Sequence, residues 1–83
     1  MYYIFAFRSR SESMGFYQRL QATGLTAKLI STPRIISIGC GLSVKVATEF
    51  IDTANDALNA CSVSTFLGLF YFNGKEIIRV REK

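Results

Sequence analysis

Two segments, YYIFAF at 2–7 and TFLGLFYF at 65–72, are apolar at almost every position and dense in aromatic rings. Runs this short and this aromatic read as β-strands rather than buried helices. Side chains alternate across a strand, so Tyr2, Ile4 and Ala6 should share one face, with Tyr3, Phe5 and Phe7 on the other. In the later segment Phe66, Phe70 and Phe72 are expected opposite Leu67, Leu69 and Tyr71. Both faces of both strands therefore need cover. Helices can supply it on one side only, and the other face is expected to be an interface, with self-association the simplest form.

The residues between these strands supply the helices. Ser9 and Glu12 have capping-box spacing: the serine oxygen can take an orphan amide while the glutamate reaches back to the cap. A helix should start there, with Met14, Tyr17 and Leu20 in one row, and end at Gly24, which tolerates the left-handed conformation. AKLIS, from Ala27 to Ser31, reads as a second strand stopped by Pro33. LSVKV, from Leu42 to Val46, reads as a third, with Leu42, Val44 and Val46 inward and Ser43 and Lys45 facing water. Thr48 is positioned to cap a second helix whose apolar stripe is Phe50, Ile51, Ala54, Ala57, Leu58 and Cys61. After the last aromatic strand, Asn73-Gly74 predicts a type I′ turn into a closing strand, KEIIRV. The expected architecture is a ferredoxin-like α+β sandwich: βαββαβ with an extra C-terminal β-strand, two helices on one face of an antiparallel sheet.

The chain of 83 residues, 49% hydrophobic and 19% charged, is expected to form a single domain, 1–83, with one small core. No apolar run reaches the roughly 18 residues of a membrane span, and MYYIFAFRSR lacks the pattern of a signal peptide. A cytoplasmic protein is the expectation. Most of the imbalance behind the formal charge of +4 sits in Arg8, Arg10, Arg34 and the tail from Lys75 to Lys83. In that tail acids alternate with bases, which reads first as a solvated strand face. Histidine is absent, which removes the commonest general base and metal ligand, and two isolated cysteines do not make a zinc site. Neither a metal nor a cofactor is expected, and the usual Cys/His and Ser/His catalytic pairs are ruled out.

The chemistry then falls on TPRIISIGCGLSVKV, Thr32 to Val46. Pro33 stiffens the exit from the second strand, and Gly39 and Gly41 permit a curl in which amides around Cys40 face one way, a nest that attracts anions. Together with Arg34 such a nest would favour thiolate over thiol, and glycine neighbours leave the sulfur accessible. The opposing reading makes Cys40 a small buried residue at a strand entrance, with Gly39 and Gly41 shaping a bulge and Arg34 a solvated loop arginine. Cys61, on the apolar stripe, is read as buried.

The loop, with the β-α-β segment starting YIFAFRS, resembles the selenium or sulfur carrier protein-like family over about residues 2 to 60. The resemblance rests on Thr32, Pro33, Arg34, Ser37 and the Cys40-Gly41 pair, with Ser9 after the first strand. Ile35 stands where that family's loop usually carries an acid, and the final aromatic hairpin extends beyond the resemblance. The family implies that Cys40 carries sulfur or selenium as a persulfide or perselenide, between donor and acceptor proteins. Arg34, Gly39, Gly41, Ser37 and Thr32 would stabilise the anion. A homodimer through the open sheet face or the C-terminal hairpin is expected. Two other readings stand beside it: a dimerising interaction domain with an inert cysteine, and an RRM-like nucleic-acid-binding module. The last is disfavoured because the third strand, LSVKV, carries no ring for stacking.

Overall fold

The computed structural model describes residues 1–36 and 41–82. In chain order these form β1 (Tyr2–Phe7), α1 (Arg10–Ala22), β2 (Ala27–Ser31), β3 (Leu42–Ala47), a 3₁₀ turn (Thr48–Phe50), α2 (Ile51–Asn59), β4 (Phe66–Phe72) and β5 (Ile77–Glu82). The strands make one five-stranded sheet in the order β2-β3-β1-β4-β5, with every neighbouring pair antiparallel. This is the ferredoxin-like α+β order with an extra C-terminal strand beside β4. Neither α1 nor α2 is long and apolar enough to cross a membrane.

Both helices pack on one face. Phe5, Phe7, Val44, Val46 and Leu69 from the sheet meet Phe16, Leu20, Ala54 and Leu58 from the helices in one buried cluster. Phe16 sits between Phe5 and Phe7, with ring centroids 5.0 and 5.5 Å away, and Phe7 lies 5.4 Å from Phe66. Tilted contacts of this kind add about 0.5–1.5 kcal/mol each beyond the area they bury. The α2 stripe is as expected: Ala54 and Leu58 are buried, while Phe50, Ile51, Ala57 and Cys61 pack against the cluster.

The face of α1 is displaced from the expected row. It buries Ser13, Phe16 and Leu20, whereas Met14 is 45% exposed. Ser13 is tolerated inside because its hydroxyl finds two carbonyl oxygens there, as described below. The helix ends as Gly24 predicts. Gly24 takes φ +85°, its amide donates to the Gln21 carbonyl, and the Leu25 amide donates to that of Leu20. This is a Schellman cap, closed by burial of Leu20 and Leu25 together.

Four further expectations are corrected. Thr48 does not cap α2: it opens the 3₁₀ turn, and neither the turn nor the helix receives a side-chain cap. Ser43 is fully buried instead of facing water. Asn73-Gly74 is not a type I′ turn, since Asn73 is not among the positive-φ residues. The Asn73 side-chain oxygen instead accepts from the amides of Lys75 (2.9 Å) and Glu76 (2.8 Å), and Phe72 pairs with Ile77 across a loop of 73–76.

The fourth correction concerns β4. Phe7 pairs with Phe66 but Ala6 pairs with Gly68, so Leu67 is an extra residue in a β-bulge. One inserted residue reverses the alternation, which puts Phe66 and Leu69 under the helices and Phe70 and Phe72 on the other face. That second face carries its own buried cluster of Ile4, Ala6 and Phe70. Ile36 packs against it, and the Arg79 guanidinium lies 4.8 Å from the Phe70 ring centre. The face left open by the helices is thus partly covered from within the chain.

Candidate functional site

The expected site lies where β2 ends and β3 begins. The Thr32 amide donates to the Gly41 carbonyl oxygen at 3.1 Å, which closes the loop at its base. Thr32, 8% exposed, and the buried Ser43 share a hydrogen bond between their hydroxyls at 2.7 Å. Buried hydroxyls need such partners, because an unpaired one costs about 1–3 kcal/mol. A side chain at Gly41 would begin 3.1 Å from Thr32 Oγ1, so the close approach of the strands explains this glycine by packing.

Past Thr32 the chain turns sharply, with the Ile36 amide donating to the Pro33 carbonyl at 3.0 Å. Ile36 points into the second-face cluster, and Arg34 and Ile35 are exposed. Ser37, Gly39 and Cys40 lie outside the described residues. Among the expected site residues, the structure therefore brings Thr32 and Gly41 together and leaves the Arg34 side chain in solvent.

The start of α1 is fastened to the same end of the sheet. Ser9 is its N-cap and accepts from the Glu12 amide at 3.3 Å. The Ser13 hydroxyl is within hydrogen-bonding reach of the Leu42 carbonyl oxygen and of the Ser9 carbonyl oxygen, at 3.3 Å. The first turn of the helix is thereby tied to the residue after Gly41. A helix start carries a partial positive charge, and here the ionised Glu12 of the first turn already complements it.

Glu12 completes the cap by a longer route than the expected capping box. Its carboxylate does not reach the Ser9 amide. It accepts from the Thr65 hydroxyl at 2.6 Å, the Thr65 amide at 2.9 Å, the Ser64 amide at 3.1 Å and the Ser64 hydroxyl at 3.1 Å. The Ser9 amide is satisfied by Thr65 Oγ1 at 3.1 Å, so threonine relays what glutamate was expected to supply. The Thr65 hydroxyl first, then the Ser64 and Thr65 amides, lower the Glu12 carboxyl from an ordinary 4.5 to about 2, against the opposing effect of partial desolvation.

Cys61 is half-buried rather than fully buried. It packs against the helix-side core and borders a groove of about 690 Å³ with Leu58, Val63, Phe66 and Arg81. Ser13, Ser43 and Thr65 have structural roles that sequence reasoning missed. A serine on the buried side of a helix or strand carries no periodicity signal of its own, and only the partner atoms, distant in sequence, reveal it.

Residues 2–65 match the family described as putative Se/S carrier protein-like. No curated protein and no solved structure matches the chain. The matched span runs from β1 through α2 and stops just before β4.

Proposed function

The chain belongs to the Se/S carrier protein-like family, and on that premise we propose that it holds a sulfur or selenium atom on Cys40 and passes it between proteins. The observation that supports this best is the anchoring of Gly41, the residue bonded to Cys40 in sequence. Thr32 holds its carbonyl, and Ser13 ties the next residue, Leu42, to the first turn of α1. A thiolate and its persulfide are both anions, and a helix start favours both.

The transfer balances without an oxidant. The Cys40 thiolate attacks the outer sulfur of a donor persulfide; a new sulfur–sulfur bond forms, the donor's own breaks, and its electron pair leaves on the donor thiolate. The carried group then ionises to an anion of the kind a helix start favours. A perselenide donor reacts in the same way through its terminal selenium. The reverse sequence delivers the atom to an acceptor thiolate.

Incubation with glutathione persulfide followed by intact-mass measurement tests the reading. The protein should gain the mass of one sulfur atom, reversibly with dithiothreitol, and retain that gain in Cys61→Ser. Loading that persists in Cys40→Ser would remove Cys40 from the role.

A further inference from the structure

The sheet face opposite the helices carries a second site, remote in sequence from Cys40. Strand register sets Lys28 opposite Lys45, Lys45 opposite Ile4, Ile4 opposite Phe70 and Phe70 opposite Arg79. These residues form one row across all five strands. The adjoining row is Ala47, Tyr2, Phe72 and Ile77. Neither row contains an acid.

Two features of these rows bear on what the face can bind. Lys28 and Lys45 stand directly opposite one another, an arrangement that repels, and among the described residues neither has a carboxylate within salt-bridge reach. The Tyr2 and Phe72 rings lie side by side on neighbouring strands, with centroids 5.1 Å apart, on the side that no helix covers. Lys45 Nζ lies 4.3 Å from the Tyr2 ring centre, and a hollow of about 360 Å³ opens beside them, bordered by Met1, Thr26 and Lys28.

From this arrangement we propose that the face binds single-stranded nucleic acid. The paired lysines take phosphates, and Tyr2 with Phe72 takes a base. Cations alone would suit any acidic partner, but adjacent rings beside them match the alternation of charge and flat π surface along a single strand. One reason for disfavouring such a surface, the lack of a ring on LSVKV, is answered by topology: the strand on the other side of β1 is β4, and its bulge turns Phe70 and Phe72 to this face. Tyr2 and Lys45 are both half-buried, so their contact keeps one side open to solvent, from which a phosphate can draw the ammonium away and free the ring.

The test is fluorescence anisotropy of a labelled oligouridylate of about ten nucleotides, titrated between about 50 and 200 mM salt. Saturable binding that weakens with salt is expected. In the double variant Lys28→Gln, Lys45→Gln the log–log salt slope should be shallower by about 1.4, at about 0.7 for each phosphate no longer neutralised. Tyr2→Leu, which keeps an apolar side chain over the sheet, should weaken binding about 5- to 150-fold and leave the slope unchanged. Circular dichroism of each variant confirms the fold, and Cys40→Ser should bind as the parent does. No saturable binding at the lowest salt, or a double variant with unchanged affinity and slope, would overturn the proposal. So would displacement by polyglutamate in the parent and Tyr2→Leu alike, which would mark a surface for acidic protein.

Discussion

The Glu12 carboxylate and Thr65, 53 positions apart, are joined by two hydrogen bonds, from the threonine hydroxyl at 2.6 Å and its amide at 2.9 Å. Together with Ser64 they fasten the first turn of α1 to the segment that leads into β4. The β1·β4 pairing depends on that segment, because the Arg8 amide donates to the Thr65 carbonyl at 2.8 Å directly beside it. The helix cap and the centre of the sheet are therefore one structural unit.

Acid should release this unit. The Glu12 carboxyl titrates near 2 in the folded chain, against an ordinary 4.5. Between those values the unfolded chain binds more protons than the folded one. The contribution is present in full above about pH 4.5 and is lost as pH falls through about 2. Urea midpoints measured across that window should fall more steeply in the parent than in Glu12→Gln, which should be the less stable protein at neutral pH. Identical acid profiles would show that the four donors do not distinguish a carboxylate from an amide.

The Thr32–Ser43 pair predicts a non-additive double-mutant cycle. Thr32→Val leaves the buried Ser43 hydroxyl without its partner and should cost about 1–3 kcal/mol. Ser43→Ala should cost less, because Thr32 keeps some access to solvent. With both hydroxyls removed, nothing polar is left unpaired, so the double variant should be more stable than the sum of the single losses predicts. Denaturant unfolding of the four proteins measures the coupling; strict additivity would mean that the hydroxyls do not depend on one another.

Two glycines should respond in opposite directions to alanine. Gly15 lies in α1 with open space where a methyl would stand, so Gly15→Ala should stabilise by about 0.5–1 kcal/mol through helix propensity. Gly68 has φ +151°, and a methyl there would stand 3.0 Å from the Arg81 carbonyl oxygen. Gly68→Ala should cost about 1–3 kcal/mol and disturb the β4–β5 pairing. Thermal unfolding of both variants checks the signs.

These residues also show what was legible in the sequence. The six residues YYIFAF alternate cleanly in the sheet, and Gly24 ends α1 as its residue type requires, because both signals are local. The bulge at Leu67 is not local: it is defined by which residues of β1 oppose β4, so the grouping of Phe66 with Phe70 and Phe72 fails although the strand itself is where its composition puts it. Ser13 and Ser43 escape notice for the same reason. Each is a small polar residue whose burial depends on an oxygen 29 or 11 positions away. At the candidate site, turn chemistry singles out Thr32 and Gly41, but nothing in their residue types says that they touch each other.

The carrier reading predicts unequal cysteines. Cys61 is half-buried against the helix-side core and should react with iodoacetamide more slowly than Cys40. Cys40, next in sequence to the anchored Gly41 and beside the segment tied to the start of α1, should react first. On the carrier reading, which sets its thiolate within reach of the helix start, its rate should reach half-maximum well below the pH of about 8.5 typical of a free thiol. Ser13→Ala, which cuts the tie between α1 and Leu42, should move that midpoint upward while leaving the Cys61 rate unchanged. Peptide-resolved mass spectrometry after timed alkylation separates the two thiols. A Cys40 midpoint at the free-thiol value in both proteins would argue for an inert cysteine and against sulfur or selenium transfer at this position.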